Sequence, residues 1–209
     1  MINEYKEILW TIVPLSTPIA IRNCKKCKRR RDFYSSDLFR VNANHNSIDI
    51  WLVYKCSHCN STWNATIITR KNVKEIERAL YEKFLNNDKE TAWKYAFDVE
   101  IMNKNKTKFL YDSIDYSIIG EDFDIAAASS NPVSVLIKSQ YRFNLRLDRL
   151  LREKLEISRN SLYDLVEAGH IKFKPNINIR KHKLKEDMQM YVQELSNEDQ
   201  ECGKSEIII

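Results

Sequence analysis

Apolar and polar residues alternate with period two in several stretches of residues 1–70, the pattern of half-buried strands. Trp10-Thr11-Ile12-Val13 reads as a short strand leading into Pro14 and Pro18. Leu38 to Ala43 alternates, Asn44-His45-Asn46-Ser47 is a turn cluster, and Ile48 to Tyr54 and Thr62 to Ile68 are two more strands. At Asn72 the period changes. Asn72-Val73-Lys74-Glu75 resembles a capping box, and Val73, Ile76, Leu80 and Phe84 keep helical spacing to a stop at Asn86-Asn87. A second helix starts near Asp88, with Trp93 and Phe97 four residues apart and expected in a core rather than stacked on a base. Residues 107–145 return to strands, with Val133, Val135, Ile137, Tyr141, Phe143 and Leu145 all on odd positions, interrupted by a break over Ala126 to Pro132.

Helical spacing resumes at Arg146. Leu147, Leu150, Leu151 and Leu155 form one stripe, Ser158 caps a second helix carrying Leu162, Leu165 and Val166, and Gly169 falls where a left-handed C-terminal cap is wanted. His170 to Lys174 reads as a strand turning at Pro175-Asn176, and Asn178 to Lys181 and Met188 to Val192 as further extended pieces. The predicted class is α+β. It divides into a metal unit over 1–70, a helical and strand connecting region over 71–140, a small C-terminal α/β unit over 141–195 and an acidic tail over 196–209.

The cysteines change the picture most. Cys24-Lys25-Lys26-Cys27 and Cys56-Ser57-His58-Cys59 are two C-x-x-C pairs. A two-residue spacer lets both thiolates of a pair enter one coordination sphere, and two pairs supply a tetrahedral Zn²⁺ site. Four cysteines fill every position and leave none for a catalytic water, so the predicted ion is structural. The 28 residues between Cys27 and Cys56 suit a hairpin that returns the second pair to the first, in the strand order of a zinc ribbon. Disulfides or free thiols are the alternative. His58 could compete as a ligand but leaves the spacing to Cys59, His45 belongs to the turn, and Cys202 stands alone in a polar tail.

Composition is that of a globular chain, 43% apolar and 30% charged, with three glycines and four prolines that exclude a low-complexity protein. No apolar run reaches membrane length and the N-terminal residues lack signal-peptide character, which gives the expectation of a cytoplasmic, non-membrane protein. The net charge of +5 is mild, but it is concentrated. Arg22 to Arg31 holds seven basic residues, and Lys138 to Lys185 holds 13 Lys and Arg against five acids. Such blocks face a polyanion or are simply solvated. No phosphate loop, dinucleotide glycine motif, nucleophile elbow or H-E-x-x-H is present, so no enzyme is expected. The acidic group Asp112, Asp115, Glu121, Asp122 and Asp124 reads as a loop before it reads as a metal site.

Arg146-Leu147-Asp148…Leu151, Ile157-Ser158-Arg159 and Leu165 to Phe173, followed by Leu184 to Met190, resemble the small RNA-binding domain named after the fourth protein of the small ribosomal subunit, the S-four type. Two positions depart from it: Phe173-Lys174-Pro175 replaces Val-Asn-Gly, and Glu186 stands for a glycine. The resemblance implies that Ser158 and Arg159 touch phosphates and that Arg149, Arg152 and Lys172 line the same face. Helix N-termini, hydroxyls and guanidinium groups are all phosphate partners. The whole chain also resembles the bacterial family catalogued as domain of unknown function 1062, on Trp10…Pro14-Leu15, Phe39 to Asn44, Asp49 to Cys56 and Thr62-Trp63-Asn64. The expected function is non-enzymatic binding of structured RNA. A protein-interaction adaptor, using Trp51, Trp63 or Tyr54, is the alternative.

Overall fold

The computed structural model describes residues 5–128, 131–184 and 187–193; Glu186, Cys202 and the acidic tail lie outside the described residues. In chain order the strands are β1 (Lys6–Pro14), β2 (Ile19–Cys24), β3 (Arg29–Asn44), β4 (Ser47–Cys56), β5 (Thr62–Asn72), β6 (Lys108–Leu110), β7 (Tyr116–Ile119), β8 (Val133–Ser139), β9 (Ile171–Lys174) and β10 (Met188–Val192). The helices are α1 (Arg78–Leu85), α2 (Lys89–Phe97), α3 (Val99–Lys104), α4 (Ile125–Ala128), α5 (Leu147–Leu155) and α6 (Arg159–Glu167). The α+β class holds. The chain packs as two compact units, residues 14–115 and residues 5–13 with 116–193.

Residues 14–115 build a five-stranded antiparallel sheet in the order β5-β4-β3-β2-β6. Strict alternation along β4 puts Ile48, Ile50, Leu52, Tyr54 and Cys56 on one wholly buried face. Against them pack Phe84 of α1 and Ala92 and Ala96 of α2. A bulge between Ser35 and Leu38 sets Asp37 in a left-handed conformation, φ 57°, and its carboxylate accepts from Trp93 Nε1 at 3.2 Å. Trp93 is thus half-buried against Phe97 and tied to the sheet, as its spacing implied.

The other unit is a mixed five-stranded sheet, β7-β1-β8-β10-β9. β1 runs parallel to β8, with Trp10 opposite Ile137, and β10 is antiparallel to both β8 and β9. Parallel neighbours need a long crossover, and between β1 and β8 the chain inserts the entire 14–115 unit. A backbone hydrogen bond from Leu15 N to Asp115 O, 2.7 Å, closes the two ends of that insertion. Leu147, Leu150 and Leu151 of α5 and Leu162 of α6 are fully buried, as the leucine stripe predicts.

The structure therefore divides the chain elsewhere than at residues 70 and 140. Residues 72–104 belong with the cysteine-bearing sheet, because Phe84, Ala92 and Ala96 of its helices pack on that sheet's apolar face. Three local expectations also change. Asn72 caps a 3-10 turn over Val73–Glu75, and extended Ile76 delays the helix to Arg78. Residues 141–145 keep alternating burial, with Phe143 and Leu145 inside, but form no strand. Residues 178–181 turn rather than extend, as Lys181 N and His182 N both bond to Asn178 O.

Gly120 follows β7 at φ 151°, and a Cβ there would lie 2.3 Å from Leu9 O and 2.6 Å from Trp10 Cδ1. The first neighbour is backbone and cannot rotate away. Gly120→Ala should destabilise the protein by about 2–4 kcal/mol, combining a glycine-only conformation with the clash. A lowered urea midpoint at unchanged slope checks this, whereas an unchanged midpoint would mean that β7 can move off β1.

Candidate functional site

The first cysteine pair forms the turn of the β2–β3 hairpin, and the second the turn between β4 and β5. The two turns are built alike. Cys24 O accepts from Lys28 N at 2.8 Å and Cys56 O from Asn60 N at 3.0 Å; Lys28 and Asn60 are both left-handed, φ 54° and 57°. Asn tolerates that conformation and Lys does so less readily. Ser57 N donates to Asp32 O at 2.9 Å, which continues the β3–β4 ladder and fixes one turn against the other.

The four sulfurs lie within 4.8 Å of one another. Cys24 Sγ is 3.5 Å from Cys59 Sγ, and Cys27 Sγ is 4.0 Å from Cys56 Sγ. Tetrahedral thiolates bound at about 2.3 Å stand about 3.8 Å apart, so Cys24, Cys27, Cys56 and Cys59 fit a metal ion. Cys24 and Cys56 are buried in the same cluster as Phe33, Leu52 and Tyr54, while Cys27 and Cys59 reach towards the surface. His58 is exposed and outside the sulfur group, and His45 sits exposed in the β3–β4 turn.

Ser61, which the spacing did not single out, is central to the site's electrostatics. Its hydroxyl lies 3.2 Å from Cys24 Sγ and 3.1 Å from Cys59 Sγ. Chiefly through that contact, with help from the Cys27 backbone N–H, the Cys24 thiol falls to about 6; Cys59 is lowered for the same first cause. Burial instead pushes Cys27 up to about 12, against the opposing influence of Arg31. The set is thus partly ionised before a cation enters, and metal binding displaces the Cys27 proton.

The aromatics proposed for an adaptor are mostly committed elsewhere. Tyr54 is fully buried, and Trp63 packs on Tyr54, Phe33 and Phe109 beneath the Arg22 guanidinium, 4.1 Å above its ring. Trp51, half-buried with Arg40 over it, lies on the sheet face turned away from α1 and α2. In the acidic group, Glu121 and Asp122 pair with Lys6 and Lys154, and Asp124 accepts from Ala126 N. Among the described residues, only the four cysteines gather as a metal-ligand group of three or more.

The cations expected around α5 and α6 have separate surroundings. Arg149 is exposed and lies 5.5 Å over Tyr116. Arg152 is half-buried, with a buried Nε that has no hydrogen-bond partner among the described residues. Ser158 Oγ accepts from Ser161 N at 3.1 Å, so it is the N-cap of α6. Lys172 is exposed on β9, opposite Tyr191. Arg159 Nε stands 3.7 Å from Asp148, a fully buried carboxylate that sequence reasoning assigned no role. Arg146 holds both Asp148 oxygens, at 2.9 and 3.1 Å, and the Tyr163 hydroxyl donates at 3.2 Å. Burial pushes that carboxyl's pKa up, but these bonds outweigh it and keep the group ionised below its usual range. A polar residue at the second position of a leucine-striped helix was the available signal.

Removing the Ser61 hydroxyl should let protons compete better for the thiolates. In Ser61→Ala, metal affinity should fall by about tenfold, and acid release of the metal should move to higher pH. Chelator competition across pH reads both, with Ser61→Thr expected to restore them. An unchanged release midpoint would show that the hydroxyl does not support the thiolates.

No curated protein and no solved structure matches the chain. Residues 41–177, well over half of it, match the family described as a protein of unknown function, DUF1062. The matched span takes in Cys56, Cys59, Ser61 and both α5 and α6, but begins after Cys24 and Cys27. The chain belongs to the DUF1062 family.

Proposed function

We propose that this is a cytoplasmic, zinc-stabilised protein that binds structured RNA and works by binding rather than by catalysis. Four sulfur donors select zinc among the common divalent ions. A closed four-thiolate set gives that ion the structural task of a zinc ribbon, tying the β2–β3 turn to the β4–β5 turn. No helix among the described residues is long and apolar enough to cross a membrane.

The RNA reading rests on one arrangement. Helix, helix and two strands follow in the order the S-four resemblance implies, over residues 147–155, 159–167, 171–174 and 188–192. They carry Arg149, Arg159 and Lys172 at exposed positions. Arg159 sits at the N-terminus of α6, where backbone N–H groups favour phosphate. Asp148 positions it without burying it, since its side chain remains 57% exposed. Contacts of this kind read backbone shape, which suits a folded RNA.

Two measurements test the halves separately. The purified protein should hold one equivalent of zinc, and Cys56→Ser should release it and unfold residues 14–115, because binding energy of roughly 10–16 kcal/mol is at stake in comparable small sites. A folded, metal-free Cys56→Ser protein would remove the structural role.

For RNA, the variant Arg149→Ala/Arg152→Ala/Arg159→Ala/Lys172→Ala should fold, because Arg146 still holds both oxygens of Asp148. Its affinity for a stem–loop RNA should fall, and the salt slope should drop by about 0.7–0.9 per lost phosphate contact. A folded variant that binds as wild type would discard this surface.

A further inference from the structure

The basic block at Arg22–Arg31 plays no part in the α5–α6 surface. Cross-strand pairing sets Asn23 opposite Arg30, and Ile21 opposite both Asp32 and Lys108. Alternation places these side chains on the sheet face away from buried Ala20 and Phe33. The turn from Asn105 to Thr107 borders them, and together they make an open cleft of about 590 Å³. Three cations extend their side chains along it, Arg30, Lys106 and Lys108, beside Asn23 and Thr107, while Arg22 borders it with its guanidinium turned to Trp63 on the other face. No acidic residue lines it; Asp32 is next along that face but is not in the wall.

None of these three has an ion-pair partner among the described residues. The border is held firmly. The Asn105 amide accepts from Thr66 N at 2.7 Å and donates to Thr66 O at 3.0 Å and Ile101 O at 2.9 Å. Lys106 is kept left-handed, φ 49°, a conformation with a cost for lysine. Three cations without ion-pair partners among the described residues, set around a firmly held wall, repel one another and attract a polyanion. Little ordering remains to be done when the polyanion arrives.

We propose that this cleft is a phosphate-binding site that takes the backbone of the RNA, as a second contact on the 14–115 unit. The identity of the ligand rests on the RNA reading above; the site's preference for phosphate follows from its own side chains. Asn23 and Arg30 directly flank the first cysteine turn, so a bound metal that fixes this turn also fixes one wall of the cleft.

The test uses the full-length, zinc-loaded protein and a fluorescent stem–loop RNA titrated over a range of KCl concentrations. Arg30→Ala/Lys106→Ala/Lys108→Ala replaces three exposed side chains and should keep its zinc and circular dichroism. RNA affinity should fall at least tenfold and the salt slope by about 2, at roughly 0.7 per contact. Arg30→Lys/Lys106→Arg/Lys108→Arg should bind as wild type. If the alanine variant keeps full RNA affinity and slope, the proposal is overturned, even where inorganic phosphate shifts the amide resonances of residues 105–108, since the cleft would then take only a small anion. Loss in the cleft variant with none in the α5–α6 variant would sustain this site and remove the other surface. Loss in the α5–α6 variant alone would do the reverse.

Discussion

Four sulfur atoms must meet at one point, and much of the 14–115 unit is arranged around that requirement. Thiolates this close repel unless a cation lies among them, so the protein has to supply the convergence from its own backbone. It does so by making each C-x-x-C pair a strand-ending turn and aligning β3 with β4 until Phe33 stands opposite Cys56. Cys24 and Cys56 then continue the inward faces of β2 and β4, and the cysteine group closes one end of the apolar core instead of interrupting it. The same alignment turns the face of β2 and β3 that carries Asn23, Arg30 and Asp32 away from that core. Basic residues can gather there without disturbing the core.

Local signals in the chain were sufficient for this part of the structure. Spacing alone identified the four cysteines that converge, the alternation of Ile48 to Tyr54 identified the buried strand, and the leucine stripe and Ser158 identified α5 and the start of α6. These features are written in neighbouring residues, where a period of two or 3.6 is legible. Ser61 was not, because its importance depends on a sulfur contributed by Cys24, far away in sequence. Asp148 is equally hard to see in the sequence: Arg146 is its neighbour, but Arg159 and Tyr163 reach it only after α5 and α6 pack.

The division of the chain was the least legible feature. A strand carries no mark of its partner, and Trp10 to Val13 looked like the first strand of the cysteine unit because it precedes it. The parallel register of Trp10 with Ile137 assigns it instead to the sheet that ends with β10. Residues 141–195 by themselves lack β1 and β8, which flank and form the middle of that sheet. Residues 147–192, where the sequence resembles the S-four type, are accordingly part of a larger layer rather than a free-standing module. They gain rigidity from strands that lie outside the resemblance.

Asp148 shows how that packing would serve the proposed phosphate contact of Arg159. A buried carboxylate with a single partner is a poor anchor, because taking a ligand-facing arginine away from it would leave charge unsatisfied. Here Arg146 satisfies both oxygens, and Tyr163 adds a third bond. Arg159, farther away at 3.7 Å and more than half exposed, is held in direction without being consumed. Its guanidinium carries donors that a carboxylate at that distance does not saturate, so a phosphate can be added without dismantling the pair. The carboxylate keeps the cation in place at the α6 N-terminus, and the helix supplies N–H groups beside it. A surface lysine at the same position, flexible and strongly hydrated, would offer the charge without the fixed geometry.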